Sequence, residues 1–127
     1  MAYKNYVKTF LKLIAGITIV SGMVQLIKPA FVLGMIGGLV NPTTEHFFGI
    51  VGLFMVLFGA LLFHSLIGEK RNSAAVLWCG MQKFGAAGAV TLGVTRDIFS
   101  WLALGVAGFD LLSGVLIIMY WFSIQRR

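Results

Sequence analysis

The sequence predicts an all-α polytopic membrane protein: a four-transmembrane-helix bundle with a short interfacial or re-entrant helix between helices 1 and 2. Three observations carry this. Hydrophobic residues make up 59% of the 127-residue chain and charged residues only 11%. That is too few to clothe a water-facing shell, for which about 25% is usual, and a mean hydropathy of +0.95 agrees. Four apolar stretches reach or approach the ~20 residues needed to cross ~30 Å of hydrocarbon. Small and polar residues recur along each stretch at helical spacing.

The spans are expected at about 11–27, 47–67, 74–94 and 98–122, all within one integral membrane domain, 1–127. The first stops at Lys28-Pro29, and the second at Gly68-Glu69-Lys70-Arg71. Thr95-Arg96-Asp97 reads as a tight turn that makes the last two spans antiparallel neighbours. The lysines ahead of the first span could be mistaken for the start of a signal peptide. No small-x-small cleavage site precedes Lys28, however, so the segment reads as a retained helix. Lys4, Lys8 and Lys12 recur at i, i+4 and give that helix a basic face whose stems can lie along lipid.

Residues 30–40 are apolar but too short to span. Pro29 suits a first helical turn, whereas Gly34, Gly37 and Gly38 weaken a long helix, hence the interfacial or re-entrant expectation. Asn41-Pro42 pairs an N-cap residue with proline at the first helical position. Glu45 then stands in the opening turn, at the positive end of the dipole.

The formal charge of +6 does not indicate nucleic acid, because the basic residues are not gathered into a phosphate-binding patch. Lys4, Lys8, Lys12, Lys70, Arg71, Arg126 and Arg127 fall on one side of the predicted spans, and only Lys28 and Arg96 on the other. The positive-inside rule then puts both termini of this multi-pass membrane protein in the cytoplasm. Cys79, the single cysteine, leaves the redox compartment undetermined.

Helices in lipid associate through close backbone approach and hydrogen bonds. Each span carries a face suited to this: Ala15, Thr18, Gly22 and Gln25; then Gly49, Gly52, Val56, Gly59 and Phe63; then Gly80, Lys83 and Ala87, flanked by Cys79 and Ala86; then Ala103, Ala107, Asp110 and Gly114. Spacings of three, four or seven residues put each set on one side of its helix, which the bundle interior would occupy.

Two of these residues are charged. Lys83 lies about twelve residues before the Arg96 turn and Asp110 about fourteen after it, so at ~1.5 Å per residue they share a depth near the midplane. Either alone would cost about 2.5–3.5 kcal/mol there, and the expectation is a direct or water-bridged pair. It reads either as a polar clamp fixing helix register, with Gln82 and Ser113 as helpers, or as a proton, ion or head-group site.

Other interior polar candidates are Gln25, Glu45 and His64. His64 and His46 sit at opposite ends of one helix and cannot share a metal, and Glu45-His46 could line an outer-face pocket with Gln25. Trp101, Tyr120 and Trp121 fit interfacial belts. Phe47, Phe48, Phe54, Phe58 and Phe63 are suited to face lipid, or a bound pigment or quinone. No nucleophile elbow, phosphate loop or cysteine-histidine metal spacing is present. The sequence therefore offers no catalytic or metal site and requires no cofactor.

The chain resembles the DoxX-like group of small four-helix bacterial membrane proteins. The likeness rests on Gly22 through Lys28-Pro29 leaving the first helix, and on Glu45 opening a glycine-spaced second. Lys70-Arg71 before Ala74-Ala75, and Asp110 in the last span, complete it. The resemblance implies a four-helix bundle; some members are linked to quinone-dependent sulfur oxidation or redox complexes. Lys83 has no place on that pattern.

Three functions stand open at this point. The first is a non-catalytic accessory or assembly subunit, docked on other membrane proteins or on itself amid membrane lipids. The second is a redox or quinone-linked protein with a head-group site in its polar interior. The third is a minimal transporter acting as an oligomer.

Overall fold

Asn41 and Pro42 start a long helix as their residue types predict. The Asn41 side chain accepts from the Thr44 backbone N–H at 2.9 Å while the Thr44 hydroxyl accepts from the Asn41 N–H at 2.9 Å. That reciprocal cap satisfies two amides which would otherwise lack partners. Asn41→Ala is expected to cost about 1 kcal/mol, read as a lower midpoint in denaturant unfolding of the solubilised protein.

The computed structural model describes residues 2–126. It holds five helices, α1 Ala2–Ile27, α2 Pro29–Met35, α3 Pro42–Ile67, α4 Ser73–Thr95 and α5 Ala103–Gln125, and no strand among the described residues. By length and composition α1, α3 and α5 are apolar enough to cross a membrane. The 23 residues of α4 are also long enough. Gln82 and Lys83 at its centre lower its apolar character.

The first helix runs from Ala2 and carries Lys4, Lys8 and Lys12, the basic helical face expected ahead of the span. The last begins at Ala103 rather than 98. Residues 98–102 look helical by hydropathy, but the amides of Ile98, Phe99 and Ser100 are used elsewhere. Ile98 N and Phe99 N donate to Gly93 O, and Ser100 N donates to Ile36 O at 2.7 Å. Asp97 takes φ 58°, turning the chain so that the Phe99 ring lies against Gly93. The segment ties the α4–α5 connection to the end of α2.

The short α2 is the expected minor helix between the first two long ones. It buries Leu33 and leaves Phe31 and Met35 outward. Just beyond it Gly37 adopts φ +74° with Ser100 Cβ 2.9 Å from where a Cβ would stand. Both the backbone angle and the space require glycine there.

The long helices pack as two antiparallel pairs. Gly49, Gly52 and Gly59 of α3 meet Leu26, Gly22 and Ala15 of α1 in reverse order. Gly80 and Gly114 fix α4 against α5 in the same manner, through Ile118 and Phe84. The predicted interior faces are the buried ones, with one correction. Phe63 points outward, and the inner face of α3 continues from Gly59 through Leu62 and Leu66.

Where the chain ends converge, Leu11, Ile14, Leu62, Leu66, Val76, Cys79 and Ile117 form a continuous core drawn from all four long helices. The other half of the bundle, beneath α2 and the 96–102 turn, is not filled in this way. It encloses a cavity.

Candidate functional site

Lys83 and Asp110 stand where the packed half meets the cavity. Lys83 Nζ lies 3.1 Å from Asp110 Oδ1, with the two side chains 5% and 13% exposed. This is the direct pair that the depth count predicts. The lysine has a second partner that the sequence reading did not assign, the Thr18 hydroxyl of α1, at 2.7 Å. Thr18 is 3% exposed and donates its own proton to Ile14 O at 2.9 Å, so its oxygen is left to accept. The third direction from the ammonium meets the face of Phe109, 5.2 Å from the ring centroid. The ammonium thus has two hydrogen-bond acceptors and one aromatic face around it, and the contact ties α1, α4 and α5 together.

The carboxylate is less fully used. Asp110 Oδ2 has no hydrogen-bond partner among the described residues. Among the described residues the fully enclosed side-chain N or O atom without a partner is Ser100 Oγ, so Oδ2 keeps some exposure, and Asp110 borders the cavity. Gln82, half-buried one residue before the lysine, borders the same space and makes no side-chain hydrogen bond among the described residues.

The cavity measures about 560 Å³, within the range of small-molecule sites. Its walls are mostly apolar, from Val24 and Val32 through Val51, Met55 and Val90 to Phe99. Polar groups stand at intervals: Ser21 at the rim, Gln25 toward α2, and the Gln82–Lys83–Asp110 group at the inner end. Gln25 is anchored, its Nε2 donating to Phe48 O at 3.0 Å across the α1–α3 contact.

The remaining candidates divide. Ser113 is buried, one turn from Asp110 on α5, but outside the cavity lining. Glu45 is half-buried in the first turn of α3, and His46 is exposed with its ring edge against Phe47. Neither borders the cavity that Gln25 lines. His64 is exposed in the last turn of α3 rather than interior, because the inner face there belongs to Leu62 and Leu66. Trp101 is exposed beside the start of α5, while Tyr120 and Trp121 are half-buried in its last turns. Among the described residues no group of His, Cys, Asp and Glu could hold a metal ion.

What this arrangement offers chemically is a mostly apolar chamber with one neutralised ion pair and two unused hydrogen-bonding groups. Comparisons with protein-family models, with curated proteins and with solved structures find no match to this chain.

Proposed function

We propose that this protein is a four-span bundle of the bacterial inner membrane that holds a lipophilic small molecule, its polar head against Lys83 and Asp110. On this reading α4 is the fourth span, tolerated in lipid because its central lysine is paired. Both termini lie in the cytoplasm, as the distribution of basic residues favours. The observation that carries the reading is the 560 Å³ cavity with an ion pair at its inner end. A clamp fixing helix register needs the pair but not the chamber beside it. A quinone, with a carbonyl head on an apolar tail, belongs to the class of molecule that such a chamber suits.

Native mass spectrometry of the protein released from membrane nanodiscs tests this. The wild-type chain should retain a bound lipophile. Val90→Phe, which grows a ring into the cavity two turns from Lys83, should lose most of it while unfolding at the same denaturant midpoint. Equal retention by both proteins would exclude the cavity as the binding site.

A second reading, a subunit docked on other membrane proteins, draws support from Gly85, Gly88 and Gly108. These lie on outward faces of α4 and α5 with nothing within 4 Å of an added Cβ, as close helix approach requires. Release of the protein as part of a larger complex would favour it.

A further inference from the structure

The charge of the cavity lining and the direction in which the cavity opens both bear on its occupant. Lys83 and Asp110 are the charged residues of the lining, and they neutralise one another. An anionic head would have to draw Lys83 from Asp110, and a cationic head would have to draw Asp110 from Lys83. Either exchange leaves an ionised side chain short of its partner in a low-dielectric interior. A neutral head avoids this. Asp110 Oδ2 lacks a donor, and the Gln82 amide offers both donor and acceptor. A hydroxyl, which gives one hydrogen bond and takes one, matches the capacities of these two groups, and both border the same cavity.

The mouth is apolar. Val20 is 64% exposed and Phe31 and Met35 each 59%, yet all three border the cavity. Ile17 of α1 and Val106 of α5, both exposed, flank the opening where those two helices part. In a bilayer such a side opening faces acyl chains, so whatever passes through it is dissolved in the membrane.

Building on the reading of the cavity as a ligand site, we infer that its occupant is an uncharged, hydroxyl-bearing lipophile that arrives between α1 and α5 and donates its hydroxyl to Asp110. The full chain in lipid nanodiscs, titrated with tetradecan-1-ol, tetradecanoate and tetradecyltrimethylammonium and read by native mass spectrometry, varies head charge at constant chain length. The alcohol should bind about 10-fold more tightly than either ion. If an ion binds as well or better, the neutral-head inference falls while the cavity reading stands. If none of the three binds, both fall.

Asp110→Asn leaves Lys83 without a counterion and should swing the preference to tetradecanoate by about 10-fold. An unchanged preference for the alcohol would mean that the head never meets the pair. Should this variant not accumulate, the wild-type series decides alone. For the route, Gly105→Trp places a ring at the mouth, where nothing lies within 4 Å of the new Cβ. Uptake of tetradecan-1-ol should slow about 10-fold, and an unchanged rate would overturn access between α1 and α5.

Discussion

Lys83→Ala is expected to remove most of the folded protein from the membrane fraction. The substitution deletes the ammonium that meets Asp110 at 3.1 Å and Thr18 at 2.7 Å, and leaves a carboxylate inside the bundle with no counterion. Removing one member of a buried pair typically costs about 3–5 kcal/mol. That is a large share of the ~5–15 kcal/mol by which domains are stable. The double substitution Lys83→Met with Asp110→Leu removes both charges, the added leucine volume lying beside the cavity that Asp110 borders, and should recover a substantial part of the loss. Immunoblots of membrane fractions, with unfolding midpoints for whichever variants accumulate, provide the comparison. Normal accumulation of Lys83→Ala beside a worse double variant would mean that the two charges do not depend on one another.

That pair was legible in the sequence because two independent regularities met at it. Counting from the Arg96 turn gave a shared depth, and helical spacing put Lys83 with Gly80 and Ala87, and Asp110 with Ala107 and Gly114, on faces that the structure buries. Both survive a misjudged boundary. Although α5 begins five residues later than expected (103 − 98 = 5), the facing residues stay within reach. Thr18 marks the limit of that reasoning. Its place on an inward face could be read, but its role as acceptor for Lys83 depends on which helices lie side by side, and periodicity within one helix carries no such information. The exposed His64 and Phe63 mark another limit, since the inner face of α3 turns to Leu62 and Leu66 in its last two turns.

The cavity was not legible at all, for a related reason. A void is what neighbouring side chains fail to fill, so it belongs to no residue. At the converged chain ends, Leu and Ile from α1, α3 and α5 pack with Val76 and Cys79 of α4. Toward α2 the facing positions hold Ala86, Ala103 and Gly105, and the ring that could have filled the gap, Phe99, is turned against Gly93. Hydropathy read residues 98–102 as the start of a span. The Ser100–Ile36 hydrogen bond makes them a roof strut instead, and tertiary contact outweighs local propensity there.

Gly22→Ala should destabilise the protein by about 1–3 kcal/mol, the usual cost of overpacking, although it adds a single methyl to a helix. The new Cβ would stand 2.7 Å from Gly52 O and 2.9 Å from Val56 N. Both are backbone atoms, which cannot rotate aside as a side chain can, so α1 and α3 must move apart. Gly52→Ala meets the reciprocal obstacle, 2.7 Å from Gly22 O and 2.7 Å from Leu26 N. Gly85→Ala and Gly88→Ala on the open face of α4 meet nothing within 4 Å, and should leave stability within about 0.5 kcal/mol of wild type. Unfolding midpoints for the four variants distinguish contact from a general aversion to replacing glycine: equal effects at all four would mean that α1 and α3 do not touch at Gly22. The consequence reaches the ion pair, because Thr18 lies one turn before Gly22 on the same face of α1. Prising that helix from α3 moves the hydroxyl that Lys83 depends on, so Gly22→Ala should also weaken retention of any molecule bound beside the pair, although Gly22 itself is not among the lining residues.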